Sequence, residues 1–253
     1  VNTEAIQVES GANSGVATIL VKQSTGERAV FFERSTATEP EFLDTHKQLI
    51  GSTYILHING RHRQLMRSAM AVAKEVGTII SLDGGAQRYD EDMKPITEAS
   101  HIVIVARDYA EKYTGTTNLE EACRIIHERG ACIAGVTDGA NGSYFVWPDG
   151  TFYRCEPFTQ STVVDTTGAG DSFHGAFLAN LVYTINHMKG QDTTSTTKHD
   201  RASIHAVELL KACAHSDLEK AAIFASAVAS LNTQGIGGRS PLPTLKSVQE
   251  LIG

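Results

Sequence analysis

The sequence predicts an α/β fold: a doubly wound, mostly parallel sheet flanked by helices, with a separate hairpin near the start. Two observations carry this expectation. Short apolar, β-rich runs alternate with helical stretches through the middle of the chain, the pattern of parallel strands joined by right-handed crossovers. Two further β-rich runs, 15–21 and 29–33, precede that alternation and are separated by the turn residues Ser24, Thr25, Gly26 and Glu27, which suggests a hairpin. Residues 54–58 then read as a buried strand, and 63–76 as a helix through Leu65, Ala69, Val72 and Val76. Strands follow at 78–82, ending in Asp83, and at 102–105. A helix is expected over 119–128 and a strand over 132–136. Residues 144–153 read as two antiparallel strands around Pro148, Asp149 and Gly150. Helices at 171–185, 204–214 and 217–230 complete the core, with a polar, mobile stretch at 190–198 and a glycine-rich loop at 232–243.

A chain of 253 residues is most simply one domain, spanning 1–253. A formal net charge of −7, with no long run of Lys or Arg, argues against a nucleic-acid surface. The densest basic spot is Arg61-His62-Arg63. No apolar run approaches the ~20 residues of a membrane span. Cys123, Cys132, Cys155 and Cys213 lack a Cys-x-x-Cys spacing, so a reduced, cytoplasmic protein is expected. Residues 1–15 are polar and carry no targeting signal. His101, His127, His174, His187, His199, His205 and His215 lack zinc spacing and read as ordinary surface or core residues. Trp147 reads as packing.

In an α/β sheet, chemistry gathers at the carboxyl ends of the strands. The run Asp165-Thr166-Thr167-Gly168-Ala169-Gly170-Asp171 opens the helix expected at 171–185. Its glycines allow a turn whose amides converge, and the helix directs its positive dipole end at the same spot, which makes an anion cradle. A carboxylate beside such a cradle is costly unless it acts on a neutral hydroxyl. That pairing points to phosphoryl transfer to an alcohol, with Asp171 as the base.

The same run resembles the signature of the ribokinase-like, or PfkB-type, carbohydrate kinases, which include ribokinase, fructokinase, ketohexokinase and adenosine kinase. Three stretches agree with that family in order: Gly15-Val16-Ala17-Thr18-Ile19-Leu20-Val21 with Gly26-Glu27-Arg28, Thr137-Asp138-Gly139-Ala140-Asn141-Gly142, and Asn232-Thr233-Gln234-Gly235. The resemblance implies an ATP-dependent kinase of a sugar or related small polyol, ketohexokinase-like or fructokinase-like, acting on a hydroxymethyl group with Mg²⁺ on the phosphates. It implies that residues 15–34 belong to a β lid that covers substrate and pairs two subunits into a homodimer. It also implies an earlier segment with a sugar-holding aspartate and a Gly-Gly-x-x-x-Asn helix start, which nothing in this chain matches, so the chain is expected to be N-terminally incomplete or a reduced relative.

Carried over position by position, the resemblance makes Asp171 the general base, with the Gly168, Ala169 and Gly170 amides meeting the charge of the transferring group. Arg61, in a segment like that of ketohexokinase, would meet nucleotide phosphate. Thr137, Gly139, Ala140, Asn141, Gly142 and Asn232 would hold ATP. Asp165 and Thr167 match positions that bind a monovalent cation such as K⁺, with Ser230, Thr233, Gly235 and Ser240 supplying further oxygens; Asp165 can equally cap and orient the turn. The family's Asn-x-x-Glu is replaced by Ala106-Arg107-Asp108-Tyr109-Ala110-Glu111, where Asp108 or Glu111 could substitute or the acids could simply mark a helix start. A nucleoside kinase of the same fold, or a catalytically inactive nucleotide-binding relative, are the alternatives.

Overall fold

A computed structural model describes residues 2–22, 24, 28–85, 88–160, 162–190 and 206–253. The polar stretch expected to be mobile lies outside these residues from 191 onward, as do the hairpin-turn residues Thr25, Gly26 and Glu27. Two strands, β1 (Val16–Val21) and β2 (Arg28–Glu33), pair antiparallel as a sheet of their own, with Val16 opposite Glu33 and Val21 opposite Arg28. A helix, α1 (Asp44–Gly51), leads into β3 (Ile55–Ile58), α2 (Arg63–Val76) and β4 (Ile79–Asp83). Next come α3 (Lys94–Glu98), β5 (Ile102–Ala106), α4 (Arg107–Thr114), α5 (Leu119–Glu128) and β6 (Ile133–Thr137). The strands β7 (Ser143–Val146) and β8 (Phe152–Cys155) form the antiparallel pair. The helices α6 (Ala169–Gly190), α7 (Ala206–Lys211), α8 (His215–Asn232) and α9 (Leu245–Ile252) close the fold.

The main sheet has six strands in the order β3-β4-β5-β6-β7-β8, parallel through β6 and antiparallel beyond it. Its central strands are apolar at nearly every interior position, Ser81 being the exception, because both faces are covered. Alternation of period 2 sends Ile80, Leu82, Val103, Val105, Ala134 and Val136 to one face, against α1 to α5. It sends Ile79, Ile102, Ile104, Ile133 and Phe145 to the other, against α6 to α9. Phe145 is sealed there among stacked rings, with Trp147 at 4.9 Å and Phe177 at 5.7 Å between centroids. Trp147 is therefore packing, as expected.

Because β3 to β6 are parallel, the loops after all four open on one side of the molecule. The amino end of α6 comes to the same side, since His174 in its second turn reaches Asp83 at the end of β4. Arg61, directly after Gly60 in the turn that follows β3, lies with its guanidinium 5.1 Å from the ring centroid of Phe32 and so ties the two-stranded sheet to the main one.

The Phe145 stack gives a direct check on this core. Phe145→Ala empties a site with no solvent access and should destabilise the fold by about 3–5 kcal/mol, read as a lower urea midpoint at unchanged slope.

Candidate active site

The loop between Asp165 and Asp171 is held from beneath by one buried carboxylate. Asp165 Oδ1 accepts the Thr167 amide at 2.8 Å, and Oδ2 accepts the Gly237 amide at 2.9 Å. One side chain thus locks two loops together, through hydrogen bonds strengthened by its charge. The Val164 and Asp165 amides add bonds to the Thr233 carbonyl at 2.8 and 3.2 Å. Asn232, fully buried, donates from Nδ2 to the Thr167 carbonyl at 3.1 Å. At Gly168, φ is +78°, and a Cβ would stand 2.5 Å from the Gly238 Cα, so the two loops touch backbone to backbone. Only glycine permits that approach.

This bracing delivers the amino end of α6. The Ser172 amide closes on the Gly168 carbonyl at 2.8 Å, and the Ala169 amide is drawn back toward Thr166 at 3.3 Å. The Gly170 and Asp171 amides stand in the first turn, where an α-helix supplies no acceptors of its own. Asp171 is exposed at that turn. Of the three amides expected to meet an anion, Gly168 and Gly170 are thus better placed than Ala169.

The structure also brings together residues that sequence reasoning did not. His174, read above as ordinary, is buried with Nε2 3.7 Å from Asp83 Oδ1, and its ring centroid is 5.6 Å from that of His57. His57 Nδ1 is 3.2 Å from the Ser81 hydroxyl. Burial holds both imidazoles below the ordinary histidine value, opposed by the Asp83 and Asp171 carboxylates, whose negative charge favours the proton. The available signal was spacing: His174 lies three residues after Asp171, on the same helix face.

The other expected residues divide into two groups. Thr137 ends β6, and the turn after it folds on itself: Asp138 takes the Asn141 side chain at 3.0 Å, and its amide bonds the Gly142 carbonyl at 2.9 Å. Gly139 and Gly142 both have positive φ. Ala140 and Asn141 are exposed at its tip. Arg61 follows β3, three strands from this turn and so roughly 14 Å away across the sheet. It sits instead with the lid sheet and His57. Asn232 has no exposed surface, so it braces the Thr167 carbonyl rather than lining an open nucleotide site. The Ser230 hydroxyl donates to the Phe158 carbonyl at 2.6 Å and that of Thr233 to the Ser230 carbonyl at 2.7 Å, bonds that fix both side chains without using their oxygen lone pairs. Residues 107–114 form α4, whose first turn carries Asp108, while Glu111 pairs with Arg107 at 3.5 Å.

Comparison with known proteins follows the same outline. The pfkB family carbohydrate kinase model matches residues 1–245. An Arabidopsis thaliana protein described as "Probable fructokinase-5" is 26% identical over 270 residues, covering 100% of this chain and 75% of its own length. The structure of ribokinase from Giardia lamblia superposes with a TM-score of 0.74 at 18% identity, covering 96% of this chain and 73% of that one. Arabidopsis thaliana ribokinase complexed with ribose and ATP gives 0.70 at 22% identity, covering 96% and 70%. The fold is thus that of the ribokinase-like proteins.

Two measurements follow from the site's construction. Asn232→Ala leaves the buried Thr167 carbonyl unpaired and should cost about 1–3 kcal/mol, seen by chemical denaturation. For pH, a histidine held below its ordinary value of 6.5 gains its proton on unfolding. Its contribution is complete above that value and declines as pH falls below it. The denaturation midpoint should therefore drop on acidification from neutral pH, with a shallower drop in His174→Gln.

Proposed function

The chain belongs to the pfkB family of carbohydrate kinases, and from that premise we propose that it transfers the γ-phosphoryl group of ATP to a hydroxymethyl group of a sugar or related small polyol. The observation that carries this reading is the placing of Asp171: an exposed carboxylate in the first turn of α6, beside amides for which the helix itself supplies no acceptors, on a loop locked by Asp165. A base there can take the hydroxyl proton as the oxygen attacks phosphorus. Positioning of the two reactants supplies most of the advantage, and the base adds ~10²–10⁴-fold. The Gly168 and Gly170 amides, with the dipole of α6, oppose the charge on the transferring group.

Arg61 would meet phosphate from the lid side, and the turn Thr137 to Gly142 would hold the nucleotide beyond it. Asn232 serves that arrangement indirectly by fixing the Thr167 carbonyl. Mg²⁺ bound to the phosphates supplies further charge neutralisation. Of the two acids that could face its water shell, Glu111 is committed to Arg107, which leaves the exposed Asp108. A monovalent cation such as K⁺ fits beside Asp165 and Thr167, because the Thr167 hydroxyl and the Asn232 Oδ1 are buried without partners among the described residues. Such an ion would stiffen the loop.

Ketohexose-like sugars come first among our candidate substrates, ahead of ribose, a reading supported by relatives described as fructokinase and ribokinase. A nucleoside acceptor is the second reading. The exposed face of the lid, with Val16, Leu20 and Phe31, supports a homodimer formed through it. Four unpaired cysteines suit the reducing cytoplasm.

ADP release measured across a panel of sugars and nucleosides tests the activity and ranks these acceptors. Asp171→Asn should lower kcat by ~10²–10⁴-fold while leaving ATP binding intact; near-normal turnover in that variant would remove Asp171 from the role of base. Replacing K⁺ with a bulky organic cation should reduce activity if the Asp165 site holds an ion.

A further inference from the structure

His57, Asp83 and His174 come from three separate elements and offer ligand atoms that all lie within 4.8 Å of one another. Two are delivered by strand register: β3 and β4 are parallel neighbours, and each places its residue at the carboxyl end. The third descends from the second turn of α6. The 3.7 Å between His174 Nε2 and Asp83 Oδ1 is too long for a hydrogen bond. It is close to the ~3.4 Å that separates two ligand atoms on a tetrahedral ion with bonds of ~2.1 Å. His174 is buried, so the Nε2 that it turns toward Asp83 is held away from bulk water.

We propose that His57, Asp83 and His174 form a binding site for a divalent cation of the zinc class, with an open coordination position toward solvent. Two imidazoles and one carboxylate are borderline donors, which suit zinc or cobalt better than magnesium. The Ser81 hydroxyl, 3.2 Å from His57 Nδ1, can fix that ring's tautomer and orientation, the usual task of a partner behind a metal ligand. Access is provided by His57, which is exposed and lines a groove of about 360 Å³ with Leu56, Asn59 and Arg61. This site is distinct from the phosphate-bound Mg²⁺ of the proposed reaction. It adjoins Asp171, whose charge both rings sense.

Binding does not depend on the kinase reading, so it is measured on the full chain without nucleotide, sugar or Mg²⁺. Calorimetric titration with ZnCl₂, and with CoCl₂ monitored by visible absorption, should show uptake of a single equivalent, with cobalt bands of a low-coordinate nitrogen and oxygen site. His57→Gln, at an exposed position that leaves packing intact, and Asp83→Asn should each weaken zinc binding by at least ~10-fold. His215→Gln, at the surface pair with Asp149, should bind as the wild type does. The zinc-induced rise in Tm should be absent from both ligand variants. The proposal is overturned if the wild-type protein takes up no ion, or if either ligand variant binds zinc as tightly as the wild type.

Discussion

The buried carboxylate of Asp165 is the constraint on which the candidate site depends. Both of its oxygens accept backbone amides, from Thr167 on its own loop and from Gly237 on another. Taking an ion out of water is unfavourable by several kcal/mol unless its lone pairs are met in place. Those two amides, at 2.8 and 2.9 Å, do so, and the same bonds fix where the two loops meet. Asn232 and the glycine contact at Gly168 add bracing from below and beside. The position of the first turn of α6, and with it Asp171, follows from this lock.

The sheet supplies the other half of the geometry. Parallel strands buried on both faces leave little freedom in register, since a shift by one residue would exchange every inward side chain between two cores of different shape. The carboxyl ends of β3 and β4 are therefore held to a fixed spacing, and the residues that leave them, His57, Asp83 and Arg61, are presented as a set. The helix α6 packs beneath the opposite face through Phe177 and Leu181. Its amino end meets that set from below.

Much of this was legible in the sequence because periodicity encodes burial. The helices at 63–76 and 119–128 have the boundaries that 3.6-residue spacing predicts, with Gly77 and Asn118 as their stop and start signals. Three helices, α1, α3 and α9, were not legible, and α4 was legible only as one of two readings of its acidic start. In α1 the start is made by the His46 ring, which accepts the Leu43 amide at 2.8 Å, an unusual substitute for a serine or aspartate. The segment 107–114 is dominated by charge, and its buried side is carried by Tyr109, Ala110 and Tyr113. The five residues of α3 are too short for a periodic signal. The helix at 245–252 has a readable cap, Thr244 accepting the Ser247 amide. Within the site, the Asp165 to Asp171 run was legible because its residues are contiguous. The His57, Asp83 and His174 cluster was not, because strand register and helix placement bring it together across more than a hundred residues of chain.

Charge balance links these parts. The groove side carries two carboxylates, Asp83 and Asp171, and neutral histidines that burial prevents from offsetting them. A polyphosphate approaching that side adds further negative charge, which the helix dipole alone offsets by only about 0.3–1 kcal/mol at an exposed terminus. A mobile cation is therefore needed, and Arg61, which lines the groove with His57 and faces the lid, can supply it. Its resting contact over the Phe32 ring is of the exposed cation–π kind, worth about 0.5–1 kcal/mol. A hydrogen bond from a guanidinium to a charged group is worth about 1.5–3 kcal/mol. The stacked position is thus the weaker of the two, and it holds the side chain beside the groove without opposing its transfer to phosphate.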